Sequence, residues 1–262
     1  MHEGTEMSFA RNIIKLLDRL ITVILVLLLL LAGLYAVYAL WDNGQVYRDA
    51  ENAQEGLLRY KPGVRTEEPG AAEDGFRELM EINPDVCAWI CMDNTGIDYP
   101  VVQGRDNLSY ISTDVYGNYA LAGSIFLDSR NSRDGRDAFN LLYGHYMEKH
   151  RLFGDLEEYR RTAFFRSNRF GHFILPDRSF DLETLACFQV PAAEDLVFNP
   201  EFASAHIPEM LDYARDHAEQ IDSELLARIK TMEAPKILAL TTCSEDYGDS
   251  RTVLITIMRE GK

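Results

Sequence analysis

The hydrophobic pattern divides the chain into two regimes. From Leu20 to Trp41 it reads LITVILVLLLLLAGLYAVYALW, 22 residues without a charge. At about 1.5 Å per residue, a helix of that length covers the ~30 Å hydrocarbon core of a bilayer. Beyond residue 85 the apolar positions come instead in short runs separated by Gly, Pro, Asn and Asp. Runs at Val86–Met92, Ile97–Val102, Gly123–Asp128, Phe139–Tyr143, Gly171–Leu175, Phe180–Val190, Lys236–Cys243 and Arg251–Met258 predict eight strands. A mainly β fold follows, an eight-stranded closed or nearly closed barrel with a few peripheral helices.

Helical periodicity is sparse. Phe76, Leu79, Met80 and Ile82 mark an entry helix, and Leu152–Tyr159 a short one. Between Pro200 and Gln220, Ile207, Met210, Leu211 and Ala214 form an i, i+3, i+4, i+7 stripe, which predicts a helix lying on the barrel. Residues 42–60 are polar and rich in helix formers, as expected of a stalk, while KPG and EEPG within 61–72 break regular structure. The expected organisation is a tail (1–19), an anchor (20–41), a stalk and linker (42–72), and a folded domain (73–262).

Arg11, Lys15 and Arg19 precede the apolar run, and Arg48 is the single basic residue in the fifteen positions after it. That asymmetry predicts a cytoplasmic N-terminus and an extracellular domain on a single-pass anchor. A cleaved signal peptide is the competing reading, with Ala36 and Ala39 as small residues, but its apolar region normally spans only about 7–15 residues.

A net charge of −16 excludes the clustered Lys and Arg that phosphate contacts need, so no nucleic-acid partner is expected. Apolar content of 47% is ordinary for a globular chain. Of the four cysteines, Cys87 and Cys91 lie four apart in one predicted strand, with Cα atoms about 13 Å apart and too far to bridge. Cys87, Cys91 and Cys187 fit small buried hydrophobes. No carboxylate or thiol cluster has ligand spacing, and neither metal nor cofactor is expected.

Cys243 differs in context, because it ends the strand KILALTTC. If Ser244–Ser250 is a hairpin connection, Cys243 falls opposite Arg251, the two side chains pointing to the same side. A fixed guanidinium beside a thiol favours the thiolate. In NLLYGHYM a strand runs into Gly144, and His145 stands at the turn, where an imidazole can serve as acid and base near neutral pH. A lone Cys243 or Arg251 is more often structural than catalytic and a lone His145 is as often one as the other, so only their combination supports a mechanism.

LTTC at 240–243, Arg251 eight positions later and YGH at 143–145 resemble the signature of the sortases. NPDVCAWI (83–90), IDYPVVQGRDNLSYI (97–111), GSIFLD (123–128) and the long segment Ala192–Pro235 before the penultimate strand resemble the class B members in particular. Threonine at 241 and 242, where serine is frequent, and Cys87, near which glycine is more usual, depart conservatively.

The resemblance implies a sortase-type barrel and a membrane-anchored cysteine transpeptidase. Cys243 would be the nucleophile, His145 its acid and base, and Arg251 the oxyanion stabiliser. Asn107, Ile111, Thr241 and Thr242 would line the peptide groove, and Ala192–Pro235 would overhang it and share in choosing the substrate. Implied partners are secreted surface proteins bearing a C-terminal sorting signal, a peptidoglycan precursor amine, and the membrane. Alternatives are a pilin polymerase with a Lys acceptor, or an inactive membrane-anchored binding protein.

Overall fold

The computed structural model describes residues 3–62, 71–147, 150–242 and 250–261. Contacts divide the chain into two compact units, Met1–Arg48 and Asp49–Lys262. The first consists of helix α1, which runs from Glu3 to Leu58 and so extends into the second unit's sequence. Its stretch Ile14–Asp42 contains an 18-residue window of mean hydropathy 3.0, none of it buried, and is long and apolar enough to cross a membrane.

The second unit opens, after the end of α1, with α2 (Ala71–Ile82). The strands β1 (Val86–Met92), β2 (Asp98–Val102), β3 (Ile125–Leu127) and β4 (Phe139–Gly144) follow. A small hairpin of β5 (Tyr146–Met147) and β6 (Arg151–Leu152) then leads through two 3-10 turns into α3 (Thr162–Ser167). Next come β7 (Phe170–Ile174), β8 (Ser179–Pro191), the helices α4 (Asp195–Phe198), α5 (Pro200–Ala205) and α6 (Ile207–His217), a two-residue β9 (Gln220–Ile221) and α7 (Ser223–Ile229). The strands β10 (Lys236–Thr242) and β11 (Ser250–Glu260) finish the chain.

Eight of these strands form the barrel, in the order β11-β10-β4-β3-β2-β1-β7-β8, and it closes because β11 also pairs with β8. Two neighbour pairs are parallel, β2 with β3 and β4 with β10; the other barrel pairs are antiparallel. β9 adds two residues to the side of β8, through Ala186 and Cys187. The expected barrel is therefore present, and β1 has the predicted bounds.

Alternation along the strands sorts the core. Phe139 and Leu141 of β4, Ile237 and Ala239 of β10, and Val253, Ile255 and Ile257 of β11 pack in one cluster with α4–α7. Their even-numbered neighbours Leu142, Leu238, Leu240 and Leu254 are also fully buried and point to the opposite face, the barrel interior. A second cluster joins Leu57, at the end of α1, to Phe76 and Leu79 of α2 and to Trp89, Val102 and Phe126 of the sheet.

The helical expectations need two corrections. The stripe Ile207, Met210, Leu211 and Ala214 is buried as read, but 200–217 forms two helices interrupted at His206. Pro208 explains the break: its ring lacks an N–H and collides with the carbonyl four residues back, so a helix starts there instead of continuing. The segment 152–159 is not an α-helix but 3-10 turns, Gly154–Leu156 and Glu158–Arg160, following the left-handed residues His150 and Leu152 (φ 60° and 47°).

Candidate active site

The end of β4 carries the first site residue. Gly144 is dictated by packing, since a Cβ there would stand 2.8 Å from Phe153 Cδ2. His145 follows, half-buried, and its carbonyl accepts from the Phe153 amide at 3.1 Å. Its ring Nε2 lies 2.7 Å from the Ile111 carbonyl oxygen. The β2–β3 loop thus touches His145 through main chain.

The strand next to β4 ends at the same level. β10 pairs with β4 in parallel, Thr241 beside Tyr143 and Thr242 beside Gly144. β10 pairs with β11 in the register expected from the connection length, Ile237 opposite Ile257 through Thr241 opposite Val253. At the start of β11, half-buried Arg251 donates from Nη1 to the Thr242 carbonyl at 3.3 Å. Cys243 lies outside the described residues, as does the connection 244–249. What the structure brings together is His145 and Arg251, on either side of the strand end that leads into Cys243.

The four residues expected to line the groove occupy different settings. Thr241 and Thr242 are buried, and the Thr241 hydroxyl donates to the Thr242 and Thr252 carbonyls at 3.4 and 3.3 Å. Ile111 reaches the site through its carbonyl. The Asn107 amide is engaged at both ends: Nδ2 donates to Asp128 Oδ2 at 2.9 Å, and Oδ1 accepts from the Ser129 amide at 2.8 Å.

Asp128 is the residue that sequence reasoning passed over. Fully buried after β3, it also accepts from the Tyr143 hydroxyl at 3.2 Å and from Arg130 Nε and Nη2 at 2.9 and 2.7 Å. Arg130 Nη2 further donates to the Phe198 carbonyl, at the end of α4, at 2.6 Å. One carboxylate therefore joins the β2–β3 loop, the strand before His145 and the helical segment Ala192–Pro235. Burial by itself would raise the Asp128 carboxyl, but the Arg130 fork and the Asn107 amide more than offset it and hold the group below its ordinary value. The signal was in GSIFLD, where a carboxylate closes an apolar strand.

Burial pushes the Cys87 thiol up to about 12 and that of Cys91 up to about 11, and drives Cys187 higher still. None of these three is a nucleophile at neutral pH.

No family model matches the chain. Sortase B of Listeria monocytogenes is 27% identical over 198 residues, 74% of this chain and 78% of that protein. Sortase B of Staphylococcus aureus is 24% identical over 184 residues, 70% of this chain and 73% of that protein. Among solved structures, a Streptococcus pyogenes class B sortase involved in pilus biogenesis is 34% identical, with a TM-score of 0.64 over 70% of this chain and 97% of its own. The chain belongs to the class B sortases. A mutant form of Clostridium perfringens sortase B, at 25% identity and a TM-score of 0.67, covers 81% of this chain and 98% of its own. The sortase fold accounts for the eight-stranded mixed barrel, and the family is one of cysteine transpeptidases. In this sortase, the ends of β4 and β10 lie side by side, with His145 directly after β4 and Arg251 at the start of β11.

Proposed function

We propose that the chain cleaves a C-terminal sorting motif of secreted proteins at its Thr carbonyl and transfers the protein to an amine of a cell-wall peptidoglycan precursor. The motif would be similar to Asn-Pro-x-Thr-x or Ser/Pro-Pro-x-Thr-Gly. The observation that carries this reading is the register of β4, β10 and β11. Continued one residue past Thr242 and Gly144, it would bring Cys243 beside His145; continued two past Thr241 and Val253, it would bring Cys243 opposite Arg251. The bond from Arg251 to the Thr242 carbonyl holds the guanidinium at that strand end.

In the first half-reaction the Cys243 sulfur attacks the Thr carbonyl carbon, forming the S–C bond. His145 protonates the departing amine as the C–N bond breaks. The oxyanion between these events accepts hydrogen bonds from Arg251, a contribution of about 3–4 kcal/mol where such donors have been removed from other enzymes. In the second half-reaction His145 takes a proton from the acceptor amine, whose nitrogen displaces the thioester sulfur. The apolar helix α1 would hold the enzyme at the membrane, where tethering raises the effective concentration of both substrates.

The test is mass spectrometry of the full chain mixed with a sorting peptide. A hydroxylamine-sensitive adduct on Cys243, absent in Cys243→Ala, is expected, and Arg251→Lys should lower kcat by roughly 10- to 100-fold with a smaller change in KM. Turnover retained in Cys243→Ala would defeat the mechanism. The pilus role of the Streptococcus pyogenes relative favours a second reading, a pilin polymerase; a pilin Lys resolving the adduct where a peptidoglycan amine does not would establish it.

A further inference from the structure

The loop facing His145 decides which ring nitrogen carries its proton. Nε2 stands 2.7 Å from the Ile111 carbonyl oxygen, and a carbonyl oxygen only accepts. The contact requires a proton on Nε2, which in a neutral imidazole leaves Nδ1 bare. We infer that the Ile111 main-chain carbonyl holds His145 as the Nε2–H tautomer, so that Nδ1 is the atom that exchanges protons with thiol and amine. This rests on the transpeptidase reading above. Ile111 is then a positioning residue that acts through its backbone.

The proton balance closes on this arrangement. Nδ1 takes the proton that leaves the Cys243 thiol, giving an imidazolium that keeps its Nε2–H bond to Ile111. Nδ1–H then passes to the departing amine nitrogen as the C–N bond breaks. In the second half Nδ1 takes the proton of the acceptor amine as the thioester opens. At every stage the carbonyl accepts from the same N–H, so the ring need not turn between steps.

The loop is built to keep that oxygen in place. The Ser124 amide donates to the Tyr110 carbonyl at 3.0 Å, and the Ser124 hydroxyl to the Thr113 carbonyl at 2.8 Å. Between these strands of the loop sits Gly123, in the left-handed region at φ 58°. A Cβ on Gly123 would lie 2.3 Å from the Ile111 oxygen and 2.6 Å from the Tyr110 oxygen. Any side chain there must displace the very carbonyl that faces His145, so Gly123 is the second positioning residue.

The experiment is a long-range 1H–15N correlation spectrum of the full chain in detergent, carrying ring-15N histidine. His145 is assigned by the signal lost in His145→Gln, and the pH is set above the ring's titration. A protonated, pyrrole-type Nε2 and a bare Nδ1 are expected; the reverse tautomer, or an averaged mixture, overturns the inference. In Gly123→Ala the tautomer should become mixed and kcat should fall at least ~10-fold, with KM within about 2-fold. A folded Gly123→Ala that keeps the wild-type tautomer and kcat also overturns it, and if that variant does not fold the wild-type spectrum decides. A wrong tautomer with the thioester still formed defeats this inference alone. A correct tautomer without a thioester defeats the transpeptidase reading alone.

Discussion

Gly144 and Thr242 stand side by side as register partners at the ends of the parallel strands β4 and β10, and each is followed in the sequence by a residue assigned to catalysis. On the proposed mechanism, strand pairing would set the separation of the two residues that follow. A site referenced to backbone hydrogen bonds keeps its spacing to within the tolerance that acyl transfer needs.

The cysteines should separate cleanly by reactivity. With Cys87 and Cys91 held near 12 and 11 by burial, and Cys187 buried as well, alkylation of the native chain at neutral pH should modify Cys243 alone. Peptide mapping after a short iodoacetamide pulse checks this. Comparable labelling of Cys91 would show that β1 opens on that timescale.

Asp128→Asn should cost about 2 kcal/mol or more at neutral pH, because Arg130 loses its charged partner and an NH2 donor replaces one of the two oxygens that accept from Asn107, Arg130 and Tyr143. The sign of the pH dependence follows from the depressed carboxyl. Its stabilisation is present above the ordinary value of 3.8 and is lost as pH falls through the lower folded value. Urea unfolding should therefore show the gap between wild type and Asp128→Asn narrowing below about pH 4, and a gap independent of pH would assign the role to shape.

Leu57 ties the end of α1 to Phe76 and Leu79 and is 4% exposed. Nearby, Lys61 Nζ and Trp89 Nε1 both donate to Asp98, each at 2.7 Å. A chain beginning at Glu73 should fold, since the barrel closes without Leu57 and Lys61, but with a lower melting temperature than one beginning at Asp49. Leu57→Ala should reproduce most of that loss, about 2–3 kcal/mol. Equal melting temperatures for the two lengths would show that the contact contributes little.

Segment Ala192–Pro235 is expected to share in motif selection, since Arg130 fastens the end of α4 to the Asp128 hub that also holds Asn107. Transplanting it from a class B relative with a different motif should shift kcat/KM preference by tenfold or more, about 1.4 kcal/mol of transition-state discrimination. A folded chimera with unchanged preference would assign the segment to covering the barrel.

The legible parts of the fold were those that repeat. β1 could be bounded because seven successive residues are all buried, and the β10–β11 register because a hairpin connection fixes which positions face each other. The α6 stripe was read from its period, while the break before it depended on Pro208, a steric event that periodicity does not register. The β5–β6 hairpin turns on His150 and Leu152 at positive φ, where the sequence offers no glycine to announce a turn. Of the candidate site, the strand-end positions of His145, directly after β4, and Arg251, at the start of β11, were legible. Asp128 was not, because its setting depends on Asn107 and Tyr143, brought to it from elsewhere in the chain, as well as on its neighbour Arg130.

The parallel pairing of β4 with β10 also has a kinetic side. Asn140 and Ile237, hydrogen-bonded across it, are 97 positions apart. No short turn can join parallel neighbours, so the whole segment from β5 to α7 must be laid down before the two strands meet. Pulse-labelled hydrogen exchange during refolding should accordingly protect β1 and β2 before β10. Imidazole and thiol then belong to halves of the chain that join last. On the proposed mechanism, a nascent or truncated chain would carry a thiol of ordinary reactivity, and the activated nucleophile would exist only in the finished barrel.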